Sequence, residues 1–122
     1  EKSVSTQVKN YLKEIGRIHL DYMCKEFSER LGLRVRKITL RDTRSRWGSC
    51  SNDANLMFSW RLAMAPKDVI AYVAAHEVSH LKHMNHSSDF WETVEYLFGP
   101  YKNERTWLKQ NGSSLHRYKF ES

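Results

Sequence analysis

The chemistry most easily read in this chain lies in five consecutive residues, His76-Glu77-Val78-Ser79-His80. Residues four apart on a helix share a face, so the imidazoles of His76 and His80 point the same way and can share one zinc ion. Glu77 lies beside them, where its carboxylate can take a proton from a metal-activated water. With this chain's composition, the three fixed residue types would fall into this pattern by chance with a probability of about 2%. Four of the six histidines lie between His76 and His86, the clustering a metal site needs. Two histidines and a glutamate buried in an apolar helix are costly without a partner, and a metal supplies one.

A catalytic zinc takes three protein ligands and keeps one position open. His83 is seven residues past His76 on a continuous helix, a rise of about 10.5 Å, which is too far for both to reach one ion comfortably. His86 follows Asn85, a residue that tolerates a left-handed turn, so the chain can fold back and present it. His86 is therefore taken as the third ligand, with Glu92 or Asp89 as the carboxylate alternative. His83 suits the negative end of the helix dipole instead. The spacing of His76, His80 and His86 equals that of the metzincins, but His83 stands where their turn glycine belongs, and the metzincin assignment is rejected. The turn is expected near Met84-Asn85. Tyr101, Tyr118, His83 and Arg46 are candidates for stabilising an oxyanion.

These residues need elements to hold them. Val4, Val8, Tyr11, Ile15, Ile18 and Tyr22 recur at intervals of three and four, which predicts an apolar stripe on a long helix. Met23, Phe27 and Leu31 continue it, and Gly32 stops it. Leu33 to Leu40 reads as a strand whose alternation slips at Lys37-Ile38, as at a bulge. Ser49 to Ala54 reads as a turn before a strand from Asn55 to Trp60. From Pro66 to about Met84 the pattern is helical and apolar on several sides, the mark of a buried helix. Ser87-Ser88-Asp89 caps a further helix that Gly99-Pro100 ends, and a short last helix spans about Asn103 to Lys109. The expected fold is α+β, a small sheet packed with a long N-terminal helix and a buried metal-binding helix.

The run Arg46-Trp47-Gly48-Ser49-Cys50-Ser51 comes first, then Asn55-Leu56 with Trp60-Arg61-Leu62, and then Pro66. With His76-Glu77-x-x-His80-Leu81 and Asn85-His86-Ser87-x-x-Phe90-Trp91, it resembles the YgjP-like metallopeptidase family, zincins related to the SprT-like and WLM proteases. The resemblance runs from about Leu12 to Leu108. It implies a minimal zincin fold, one zinc per chain on His76, His80 and His86, and Glu77 as catalytic base. The resemblance also implies an N-terminal strand-rich part in full-length relatives, whose counterpart is not expected within these residues. One domain over residues 1–122 is expected, open to being the C-terminal part of a longer protein.

If Asn55 to Trp60 is the sheet edge nearest the metal, a peptide can pair with it by strand addition, which makes Asn55, Leu56, Met57 and Phe58 substrate-binding candidates. The plainer reading has Leu56, Phe58 and Trp60 filling the core. Arg46 and Trp47 are further candidates, against a tight turn with an aromatic plug. Arg30, Arg34, Arg36, Lys37, Arg41, Arg44 and Arg46 make a basic stretch, and strand alternation would put Arg34 and Arg36 on one exposed face. That face is solvated or makes weak, non-specific nucleic-acid contacts.

The 122 residues are 40% hydrophobic and 28% charged, with a net charge of +6, as in an ordinary globular domain. No apolar run approaches the roughly 20 residues that cross a bilayer. Cys24 and Cys50 have no Cys-x-x-Cys pairing, which excludes a disulfide scaffold and a thiolate zinc site. The sequence reads as a monomeric cytoplasmic zinc metallopeptidase acting on a peptide or protein substrate, without a membrane partner. The rival readings are a nucleic-acid-associated protease or binding protein recruited by the basic stretch, and a non-catalytic domain that zinc only stabilises. Glu77 argues against the last, because a structural site needs four ligands and no base.

Overall fold

The computed structural model describes residues 3–43 and 46–117, so Arg44 and Tyr118 lie outside the described residues. Helix α1 spans Val4–Leu31. The Ser3 hydroxyl accepts a hydrogen bond from the Thr6 N–H, and Gly32 closes the other end in a left-handed conformation with φ of 69°. The face α1 buries is Gly16, Leu20, Cys24 and Phe27. The first part of the expected stripe is largely outside, with Val4, Val8, Tyr11, Ile18 and Tyr22 between 39% and 76% exposed, whereas its continuation through Met23, Phe27 and Leu31 packs on the core. Small residues decide which stripe packs. A Cβ on Gly16 would sit 3.1 Å from the Ala63 Cβ, so only the glycine-bearing face can approach this closely.

Strand β1 covers Lys37–Arg41, β2 covers Gly48–Cys50 and β3 covers Asn55–Ser59. The first strand is shorter than expected, because Leu33–Arg36 is not paired as a strand and only the Arg36 N–H reaches across, to the Ala54 carbonyl. Arg34 and Arg36 are exposed, but strand alternation does not put them there. The sheet order is β1-β3-β2, with β1 parallel and β2 antiparallel to β3. This overturns the placement of Asn55 to Phe58 at an edge. Their backbone is paired on both sides, and Leu56 and Phe58 are buried. The edge beside the helix that follows is β2.

A 3-10 turn, Trp60–Met64, leads into α2, Lys67–Ser79, with Pro66 at its N-cap. Helix α2 is buried on nearly every side by α1, α3, α4 and β2. It ends five residues before the expected Met84. The His80, Leu81 and Lys82 N–H groups bond to carbonyls three residues back, so the last turn tightens and the chain leaves the helix axis early. Asn85 does not adopt the left-handed conformation expected of it. Helix α3, Ser88–Phe98, is capped by the Ser87 hydroxyl and ends at Gly99. Helix α4, Lys102–Arg117, is longer than the short helix expected. The architecture is α+β, and no helix among the described residues is long and apolar enough to cross a membrane.

Candidate metal centre

His76 and His80 project from the end of α2, and His86 returns from the loop before α3. One ligand atom from each of the three lies within 4.8 Å of the others. The ring centroids are 5.2 Å apart for His76 and His80, 5.3 Å for His76 and His86, and 4.8 Å for His80 and His86. Among the described residues no other group of histidines, cysteines or carboxylates converges in this way. Asp89, Glu92 and His83 line a separate surface hollow with Arg30 and Tyr96.

The donor set suits a metal. Burial first, then the neighbouring histidines, lowers the His76 pKa to about 3, and burial likewise lowers that of His80. Both rings are thus neutral at pH 7 with lone pairs available. The His80 Nδ1–H donates to the His83 carbonyl at 3.0 Å, which leaves Nε2 as the atom available to a metal. This gives His83 a supporting role through its backbone. Phe90 stacks on His80 at 4.4 Å and Trp91 on His86 at 5.9 Å, so α3 fixes both rings from outside.

Glu77 is 6% exposed, and burial raises its carboxyl to about 7, with the Arg46 charge opposing. It fits because of Gly48. A Cβ there would sit 3.0 Å from Glu77 Cγ and 3.1 Å from the Met57 carbonyl and Phe58 Cδ1. Arg46-Trp47-Gly48 thus places a positive charge near Glu77, an aromatic wall beside it and a gap behind it. Trp47 and Gly48 line a cavity of about 310 Å³ with His76, Glu77, Tyr72 and Val73 on one side, and Arg105 and Leu108 of α4 on the other. None of Asn55 to Phe58 lines it.

Tyr72, Arg105 and Leu108 line the cavity without belonging to any of the sequence motifs. Tyr72 had a signal, since it lies four residues before His76 on the same face of α2. Arg105 and Leu108 had none, because their place depends on how α4 docks. Tyr101 stacks on Tyr72 at 5.7 Å, and burial raises the Tyr72 phenol to about 12. Arg34 and Arg36 line a different cavity of about 620 Å³, between α1 and the start of β1, which shares no residue with the metal-side cavity.

The model of the YgjP-like metallopeptidase domain matches residues 1–111. The chain belongs to the YgjP-like metallopeptidase family. No curated protein matches it. Among solved structures it is similar to the metallopeptidase zymogen of Pyrococcus abyssi abylysin, at 18% identity and a TM-score of 0.64, over 76% of this chain and 92% of that one. That likeness gives this YgjP-like chain a zincin-like fold.

Proposed function

We propose that this chain is a zinc-dependent peptidase, with His76, His80 and His86 holding one zinc and Glu77 as general base. The observation that carries the reading is the convergence of three imidazoles within 4.8 Å, beside a buried carboxylate at the wall of a cavity. A zinc ion there would acidify a bound water and polarise the scissile carbonyl. The Glu77 carboxylate accepts the water proton and delivers it to the leaving amide nitrogen. Val73, Leu108 and Trp47 give the cavity apolar walls beside that exchange.

The β2 edge supports an extended substrate. The Trp47 carbonyl and the Ser51 N–H bond to β3, so the alternation of an antiparallel pair turns the Gly48 and Cys50 backbone groups outward. A peptide could add there as a strand, next to Glu77. Cys24 and Cys50 are free thiols, which supports a reducing, cytoplasmic setting.

Metal analysis with a cleavage assay tests the reading. His80→Ala and His86→Ala should each lose zinc and lower stability, because metal binding is linked to folding. Glu77→Gln should keep zinc while cleavage of an unfolded protein falls by about 100-fold or more. Full zinc content in both histidine variants, or equal cleavage by Glu77→Gln, would overturn it.

A further inference from the structure

We propose that the outer face of α4 extends the catalytic cavity into a groove for acidic polypeptide segments, with Arg105 as its specificity-determining residue. The proposal rests on the peptidase reading for the identity of the ligand, since it follows the path of a bound chain away from the metal.

Lys102, Arg105 and Lys109 are spaced by three and four, so they share one face of α4, and all three are exposed. With Tyr101 and Thr106 they line a groove of about 540 Å³ that contains no carboxylate. Arg105 also lines the cavity beside His76 and Glu77, so the two hollows meet at its side chain. Its guanidinium lies 4.7 Å above the Trp91 ring, which in turn stacks on His86. Arg105 is therefore held in register with the metal ligands by stacking. The ion pairs among the described residues are Arg17–Asp21 and Arg61–Asp42, which leaves the Arg105 fork free for an incoming carboxylate.

Exposed lysines on a helix are commonly just solvated, and two features set this face apart. Lys102 is in the first turn of α4, the positive end of the helix dipole, where a cation is disfavoured and does nothing for the helix. Local rules broken beside a site point to a ligand. Arg105, moreover, joins the basic groove to the reacting centre, and a ligand crossing both would be the same molecule that reaches Glu77. A substrate with aspartates or glutamates a few residues from the scissile bond meets that description.

The test uses the full chain carrying Glu77→Gln, so that bound peptide is not consumed. Fluorescein-labelled ten-residue peptides with four glutamates, four glutamines or four lysines are titrated and followed by anisotropy. The glutamate peptide should bind at least about tenfold tighter than the glutamine peptide at 50 mM salt, with most of that gap gone at 0.5 M. Lys102→Glu with Lys109→Glu should reverse the order in favour of the lysine peptide. Arg105→Gln should shrink the gap by itself. Arg34→Ala with Arg36→Ala removes two positive charges elsewhere and should leave the ratio intact. Equal binding of all peptides, no reversal, or the same loss in the Arg34 and Arg36 variant would overturn the proposal. So would a labelled dT oligonucleotide that binds through Lys102 and Lys109 while the glutamate peptide shows no preference. A preserved peptide preference in a zinc-loaded wild type that cleaves nothing would count against the peptidase reading and still support the groove.

Discussion

At Glu77 a side chain is kept where it is uncomfortable. The carboxyl has an ordinary value of 4.5 and is pushed up to about 7 mainly by burial, with Arg46 providing partial relief. Below pH 4.5 it is protonated both folded and unfolded and has no effect on stability. Between those values the folded chain holds the extra proton, so stability falls as pH rises, and above about 7 the loss is complete. Its size is on the order of 3 kcal/mol. Metal-free Glu77→Gln should therefore be more stable than wild type at pH 8, and the gap should close toward pH 5. Urea denaturation in chelator at both pH values measures it, and an equal gap at the two would refute the burial account. The residues of this centre were readable from sequence to different depths. His76, Glu77 and His80 are fixed by helix periodicity alone, and His86 by the reach of a short loop. Arg105 was not readable, since it reaches His76 only after α4 has crossed Trp47, where Gly112 makes room; a Cβ there would sit 3.2 Å from the indole.

The elements show why periodicity finds a helix more surely than it finds the buried face. Up to Tyr22, helix α1 has two stripes at helical spacing, and the more hydrophobic one faces outward. The inner stripe is shorter and contains Gly16 and Cys24, and it won because close approach to the 3-10 turn needs small side chains. Ile18→Lys should then change stability by no more than about 0.5 kcal/mol. Leu20→Ala, two residues on, removes a side chain that is 1% exposed and should cost about 2–5 kcal/mol. Denaturant midpoints of the two variants settle the orientation of α1, and equal losses would mean that the outer stripe is covered. The same limit explains β3. Alternation at Leu56 and Phe58 reveals one buried face, but strand order is set by partners distant in the chain, and β3 lies in the middle. Helix α2 ends before its apolar pattern does, for a local reason. Leu81 continues the apolar pattern beyond the point where 3-10 bonding and the His80 to His83 contact end the helix.

On the scale of the whole molecule, whose net charge is +6, two separate hollows are lined by clustered basic residues, one adjoining the three-histidine cluster and one remote from it. The remote cavity brings Lys25 and Arg17 of α1 to Arg34, Arg36 and Lys37. Two acids temper it: Asp21, which pairs with Arg17 at 3.8 Å, and Glu29. Arg17 also donates to the Ile38 carbonyl, so three or four cations remain for an external anion. If that surface contacts duplex DNA, counterion release fixes the magnitude of the effect. Three or four phosphates give a slope of log affinity against log salt of about −3 to −4, with binding indifferent to sequence and largely lost at about 0.2 M salt. Changing Arg34 and Arg36 together to Ala should flatten the slope by about two and leave zinc content unchanged, because the cavity shares no residue with the metal side. Anisotropy with a labelled duplex and a labelled single strand supplies both slopes. No binding by the wild type at 50 mM salt would leave Arg34 and Arg36 as a solvated face. An unchanged slope in the double variant would assign any binding to the other hollow, along Lys102, Arg105 and Lys109.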